Sequence, residues 1–371
     1  GEDPYLIGRF ARAMIEGYQG DDLSDSDSVL ATAKHFAGYS ETQGGRDASE
    51  ADLSRRKLRS WFLPPFEEAA RAGAGAFMTG YQSTEGVPST ANSWLLRDVL
   101  REEWGFEGIL VTDWNNVGDL VTGQKICEDY AQAAALALRC GNDMMMATPE
   151  FFQGALDALD KRLLDEDELD QAVRRVLRVK FKLGLFEDRR YTDIPAAQEV
   201  KGIPEHREAA LELARQSAVL LRNTGALPLD ERKLSTIAVI GPNADNPLAQ
   251  LGDWSLGSGQ TRVGEAHPRE AVVTVLDGIT GRFGGEVLYS PGCSMEEGLE
   301  PTKDEIEEAV RTAERADAVV LVLGDQLHLT GETKSTATLE LQGGQPALAE
   351  ALQSTLQKTG KDLIVVLINS K

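Results

Sequence analysis

Four short apolar runs in the first half of the chain, residues 28–36, 74–80, 108–113 and 141–146, each give way to a helical pattern, directly or after a long loop. Strands alternating with helices in this way build βα units, so the pattern predicts a parallel sheet. One helix is expected near Leu169 to Leu177, where Leu169, Ala172, Val173, Val176 and Leu177 share a face that should pack outside the sheet. Periodicity then lapses across Glu187-Asp188-Arg189-Arg190, Pro195 and Gly202. The chain therefore reads as a first domain over 1–187, a linker over 188–204 and a second domain over 205–371.

The second domain opens with a predicted helix carrying Ala209, Ala210, Leu213, Ala214 and Leu220 and continues as another α/β series. Its strands are expected at 236–240, 286–289, 318–323 and 363–368. Before the third, Thr302-x-x-Glu305 forms a capping box, and Ile306, Ala309, Val310 and Ala313 follow at helical spacing. An open sheet with helices on both faces is the simplest architecture.

Composition narrows function. With 371 residues, two or three domains of roughly 150 residues are expected. The 38 Lys and Arg against 60 Asp and Glu leave a net charge of −22, which repels nucleic acid and anionic membrane surfaces. No apolar run approaches the roughly 20 residues of a membrane helix. Cys127, Cys140 and Cys293 are widely spaced and suggest neither a disulfide framework nor a zinc site. The scattered His35, His206, His267 and His328 give no case for a metal. Gly257-Ser258-Gly259-Gln260-Thr261-Arg262 fails the dinucleotide fingerprint at its third glycine. No cofactor is called for.

Ligands of parallel α/β folds lie beyond the carboxyl ends of the strands, so the polar residues there are the first candidates. The third run ends in Asp113-Trp114, a carboxylate able to attack a carbon or hold a cation beside an indole able to stack on a sugar; an Asp capping the next turn is the plainer reading. The first run ends in Lys34-His35-Phe36. Neighbouring side chains on a strand point oppositely, so Lys34 and His35 can share a ligand only if the chain bends there. The second run leads into Tyr81, whose hydroxyl can donate to a carboxylate or simply pack at a rim. Asp143 closes the fourth run, ahead of three methionines that read as filling.

These elements, in this order, resemble glycoside hydrolase family 3. The resemblance runs from Gly1-Glu2-Asp3-Pro4-Tyr5-Leu6 through Lys34-His35-Phe36-Ala37-Gly38, Leu63-Pro64-Pro65-Phe66, Gly86-Val87-Pro88-Ser89-Thr90-Ala91-Asn92 and Glu103-Trp104-Gly105-Phe106 to Val111-Thr112-Asp113-Trp114. It continues through Asn142-Asp143-Met144, Lys182-Leu183-Gly184-Leu185-Phe186, Ser217-Ala218-Val219-Leu220-Leu221-Arg222-Asn223 and Ala238-Val239-Ile240-Gly241-Pro242.

The resemblance implies a (β/α)8 barrel, here its C-terminal half, followed by an α/β sandwich with an open, mostly parallel sheet, and an active site between the two. It places Asp113 as the nucleophile, Lys34 and His35 on glycone hydroxyls, Tyr81 beside the nucleophile and Trp114 flanking the sugar. Some xylosidase-like members carry cysteine after the nucleophile, so Trp114 leans towards a glucosidase. The family's acid/base is commonly a Glu on a loop of the second domain; counting from Gly324, Glu332 takes that place, with Asp325 the competitor. The loop from Tyr39 to Asp47 lacks the His of the N-acetylglucosaminidase branch.

The expected function is a retaining, exo-acting β-glucosidase that releases terminal glucose from β-linked oligosaccharides without a cofactor, periplasmic or secreted. A β-xylosidase or dual enzyme is the alternative sugar reading, and an inactive sugar-binding protein the alternative of another class. A homo-oligomer is left open. Only four barrel strands can be counted, so the remaining units, with an Asp and an Arg for the glycone, are expected from the same polypeptide or a partner chain.

Overall fold

The computed structural model describes residues 2–46, 48–255, 267–295, 302–329, 331, 332, 334 and 338–369. It divides into two compact units, Gly1–Lys201 and Gly202–Lys371.

In the first unit β1 (Thr32–Phe36), β2 (Ala76–Thr79) and β5 (Ile109–Val111) form a parallel sheet in that order, and β3 (Ser83–Thr84) and β4 (Val87–Pro88) form a small antiparallel pair beyond β2. The strand expected at 141–146 is not formed as a strand; it is a single parallel bridge between Val111 and Met144. Backbone bonds hold this segment to β5, from the Asp143 and Met144 amides to the Leu110 carbonyl and from the Thr112 amide to the Met144 carbonyl, and the Asp143 side chain adds to them by accepting from the Leu110 amide. Among the described residues β1 pairs only with β2, and Met144 only with Val111, leaving both edges of the sheet open.

Residues of alternate parity on these strands enter different clusters, as a period of two requires. Phe77 and Leu110 pack with Leu63, Leu95, Leu96, Val99 and Leu100 of the helices Leu63–Arg71 and Trp94–Glu103. Ala76, Ile109 and Val111 pack with Val176 and Val179 of the helix Glu166–Lys182. The predicted face of that helix is thus divided: Ala172 is buried, but Val173 and Leu177 are exposed.

Two polar side chains pin the strand starts. Gln19, buried, donates to the Gly73 carbonyl at 2.9 Å and accepts from the amides of Ala31 and Gly75 at 3.2 and 2.9 Å. The Asp143 carboxylate has no exposed side-chain surface. It accepts from Arg101 Nη2 at 2.5 Å, Arg175 Nη1 at 3.0 Å and the Leu110 amide at 2.8 Å.

The second unit carries β6 (Thr236–Ile240), β7 (Glu286–Ser290), β8 (Ala318–Gly324) and β9 (Asp362–Ile368) in one all-parallel sheet of order β7-β6-β8-β9. Ala238, Ile240, Val319, Leu321 and Leu323 pack on the helices Lys303–Glu314 and Gln345–Thr359 through Ala309, Ala313, Leu348, Leu352 and Leu356. Ile237, Val239, Val320 and Val322 pack on Val275, Leu276 and Ile279 of the helix Val275–Arg282. Helices therefore cover both faces. The Thr302 capping box is formed. The connections from β6 and β8 lead to strands on opposite sides, β7 and β9, so this adjacent pair is the switch point of the sheet.

Two local expectations change. The helix after Pro204 ends at Ser217, leaving Leu220 outside it and 67% exposed, and none of its residues is buried. The stretch between 188 and 204 contains a helix, Ile194–Val200, which Asp193 caps by accepting from the Ala196 amide, and Pro195 is accommodated in its first turn.

Asp143→Ala should cost about 3–5 kcal/mol in urea unfolding, because it strands two partly buried guanidiniums. Breaking the exposed Arg71–Glu67 pair by Glu67→Ala should leave the urea midpoint nearly unmoved.

Candidate active site

Asp113 stands directly beyond β5, where its peptide unit leaves the sheet and turns into the helix Asn116–Thr122. The turn is held by neighbouring elements. Thr112 donates its amide to the Met144 carbonyl at 2.9 Å and accepts from the Met146 amide at its hydroxyl, also at 2.9 Å. The Asn115 amide donates to the Met146 carbonyl at 3.0 Å. Buried Asn116 donates across to Thr79 Oγ1 at 3.3 Å and the Gly80 carbonyl at 3.2 Å, tying this turn to the end of β2. Gln124 donates to the Tyr81 carbonyl at 3.1 Å, and Gln82 to the Ala37 carbonyl at 2.9 Å. The carboxyl ends of three strands are thereby stitched together.

The Asp113 carboxylate is the focus of this arrangement, 13% exposed. Its Oδ1 accepts from the Tyr81 hydroxyl at 3.1 Å and the Trp114 amide at 2.7 Å. Its Oδ2 lies 3.2 Å from His35 Nε2, an ion pair whenever the imidazole is protonated. Burial pushes the carboxyl's pKa up, but the hydrogen bonds from His35, the Trp114 amide and Tyr81, with the His35 charge, outweigh it and hold the pKa below the ordinary aspartate value. An ionised carboxylate with solvent access is suited to nucleophilic attack on a carbon centre. Trp114, next in the chain, is 65% exposed and offers an apolar ring to a ring-shaped ligand.

His35, Tyr81 and Trp114 thus gather at Asp113 as the sequence suggested. Lys34 goes elsewhere. The pairing of β1 with β2 slips between Ala33 and Phe36, and Lys34 lines an open cavity of about 700 Å3 with Glu41, Lys57 and Trp61, whose walls include neither His35 nor Asp113. Tyr39 was missed. Its ring lies 5.2 Å from that of His35 and 6.3 Å from that of Tyr81, so one aromatic side chain touches both partners of the Asp113 carboxylate. A loop aromatic carries no periodic signal. The Asn115-Asn116 pair before a helical run, in contrast, was readable as a helix start.

Glu332 and Asp325 lie in the second unit, on the loop leaving β8. Gly324 closes the strand at φ 137°, and a Cβ there would fall 2.0 Å from the Ile368 carbonyl oxygen, so glycine is required. The Asp325 amide donates to that carbonyl at 2.9 Å, while the Asp325 carbonyl accepts from buried Asn243 at 3.0 Å. Glu332, seven residues on, donates its amide to Asp253 Oδ2 at 2.9 Å. The glycine cluster at 257–262 lies outside the described residues. Among the described residues no group of three or more His, Cys, Asp or Glu side chains could hold a metal, and no helix is long and apolar enough to cross a membrane.

With this geometry the family is settled by comparison. Residues 1–179 match the glycosyl hydrolase family 3 N-terminal domain and residues 218–371 its C-terminal domain. The chain belongs to glycoside hydrolase family 3. Its first unit is the C-terminal half of a (β/α)8 barrel, and its second the α/β sandwich with an open parallel sheet.

Over its whole length it is 41% identical to a β-xylosidase of Formosa agariphila and 36% identical to a periplasmic β-glucosidase of Salmonella typhimurium, covering 51% and 50% of those proteins. The structure of a β-glucosidase involved in saponin metabolism, from intestinal bacteria, superposes with a TM-score of 0.94 at 50% identity, matching all of this chain and 52% of that one. A Listeria innocua β-glucosidase in complex with glucose superposes with a TM-score of 0.85 at 32% identity, matching 99% of this chain and 48% of that one. The chain thus spans about half the length of the relatives it matches.

Replacing Tyr81 by Phe removes a donor that favours the ionised carboxylate, so the Asp113 pKa should rise. The acidic limb of kcat/KM should then move to higher pH by about 0.5–1 unit, measured in the intact protein; an unmoved limb would separate Tyr81 from the titration of Asp113.

Proposed function

We propose that this chain carries the reacting carboxylates of a retaining, exo-acting β-glucosidase that releases terminal glucose from β-linked oligosaccharides. The observation that carries the reading is Asp113: a carboxylate at a barrel strand end, held ionised by His35, Tyr81 and the Trp114 amide, beside an exposed indole. In the first step Asp113 attacks the anomeric carbon while the departing oxygen takes a proton from Glu332. In the second, Glu332 takes a proton from water, whose oxygen attacks the same carbon and expels Asp113. Two inversions leave the configuration retained. His35 is assigned to glycone hydroxyls and Trp114 to the flank of the sugar ring.

The kinship to β-glucosidases of solved structure supports glucose as the sugar. The 41% identity to a β-xylosidase favours xylose, or both sugars, as the second reading. The periplasmic relative supports a periplasmic or secreted location. The two open edges of the first sheet call for further barrel strands from the same polypeptide or a partner chain, and the double length of the relatives supports the former. Turnover of aryl β-glucosides against aryl β-xylosides by the intact protein separates the sugar readings, while sugar binding with no turnover would mark an inactive binder.

Asp113→Ala should lower kcat on the order of 10^4-fold or more, and azide should restore turnover with inverted product, read by NMR of the released anomer. A near-normal rate would remove Asp113 from the mechanism. Glu332→Ala should slow substrates with basic leaving groups on the order of 10^2–10^4-fold and activated aryl glycosides far less. If Asp325→Ala shows that pattern in its place, the acid/base role moves to Asp325.

A further inference from the structure

A general acid must reach the leaving oxygen within hydrogen-bonding distance, yet Glu332 stands on a loop, the part of a fold least held by packing. The described residues of the loop include two anchors to other segments. At its start, the Asp325 amide and carbonyl are bound by Ile368 and Asn243, and Gln326 donates to Asn243 Oδ1 at 3.2 Å. The second anchor is at Glu332 itself, whose amide donates to the carboxylate of Asp253, 79 positions earlier in the chain.

Asp253 belongs to the segment that follows β6, so the two loops meet above the adjacent pair β6 and β8, where the sheet's connections diverge. The approach is close enough to dictate sequence. Gly331 has φ 110°, and a Cβ there would lie 2.4 Å from Asp253 Oδ2 and 2.5 Å from its Cγ, so only glycine lets the carboxylate in. The base of Asp253 is itself fixed. It follows the short helix Pro247–Leu251, capped by Asn246, and Gln250 of that helix accepts from the Val275 amide at 3.0 Å and donates to the Val273 carbonyl at 2.8 Å. The helix Val275–Arg282 is thus tied to Gln250 by hydrogen bonds, and Asp253, three residues along the chain, is tied to the backbone of Glu332.

We infer that Asp253 is a positioning residue for the Glu332 carboxyl, acting through the Glu332 amide, with Gly331 as the steric condition for that contact. A charged acceptor makes this amide bond stronger than a neutral one would. The inference rests on Glu332 being the acid/base. A positioning role differs from a merely structural one in its kinetics: displacing the acid penalises basic leaving groups selectively, whereas loosening the fold lowers all rates together.

The test uses the intact protein and a series of aryl β-glucosides graded in leaving-group basicity, with kcat/KM as the readout. Asp253→Ala should slow the most basic leaving group on the order of 10^2-fold, the cost of an ångström-scale misplacement, and the most activated by less than about threefold. Asp253→Asn, which keeps an acceptor oxygen, should return the slope towards that of the unmodified protein. Combining Asp253→Ala with Glu332→Ala should add almost nothing to Glu332→Ala alone, since the positioned group is already gone. If Asp253→Ala does not fold, Gly331→Ala takes its place and should give the same selective slope. A loss uniform across leaving groups, or additive with Glu332→Ala, overturns the inference while Glu332 keeps its role. A Glu332→Ala variant with no leaving-group dependence overturns the acid/base reading and the inference with it.

Discussion

A buried carboxylate underlies the first unit. Asp143 is removed from water, and its ionised form is tolerable only because Arg101, Arg175 and the Leu110 amide converge on it. Arg101 also donates to the carbonyls of Phe106, Gly108 and Gly141, so one guanidinium clasps the start of β5 to the segment that would otherwise be a fourth strand. With only one bridge between Val111 and Met144, these side-chain bonds reinforce the few backbone bonds between the two segments. The strand that presents Asp113 is fixed from below by this cluster and from above by Thr112, Asn115 and Asn116. A carboxylate held at both ends of its strand has little freedom to drift from His35 and Tyr81.

The electrostatics of Asp113 follow from that rigidity. Partial burial would favour a protonated, unreactive carboxyl, and three donors set in place before any ligand arrives reverse the balance. The second unit meets the opposite problem. Its strand β8 is wholly buried, but Glu332 stands seven residues beyond Asp325, outside any strand or helix. There the task falls to two side chains that hold the loop's backbone: Asn243 donates to the Asp325 carbonyl, and Asp253 accepts from the Glu332 amide.

Much of the fold was legible because hydrophobic period survives in a single chain. The runs around Phe77, Leu110, Val239 and Leu321 are strands for the reason the pattern implies: alternate residues enter cores on opposite faces. The segment around Asp143 misled because an apolar, Met-rich run looks the same whether it pairs with its neighbour along a full ladder or at a single bridge. The helix Pro204–Ser217 stopped short of Leu220 although apolar residues continue past it, since periodicity records which residues can be buried and not where the helix ends. Of the site, Asp113, His35, Tyr81 and Trp114 were found at strand ends; Tyr39 and Asn116 acquire their contacts only through the close approach of loops distant in sequence.

By itself the sequence determined the order of strands and helices, the two-part division of its patterning and the residue types offered at each strand end, because these depend on local propensity and on the period of burial. It also carried the motifs that mark glycoside hydrolase family 3. Tertiary structure decided which offered groups meet. His35 and Lys34 are neighbours in sequence, yet one reaches Asp113 and the other lines a different cavity, as the opposite directions of neighbouring side chains on a strand allow. Asp253 and Glu332 are remote in sequence and share a hydrogen bond, since β6 and β8 lie side by side in the sheet. Contacts of that kind are set by strand order and register, which no local stretch of sequence encodes.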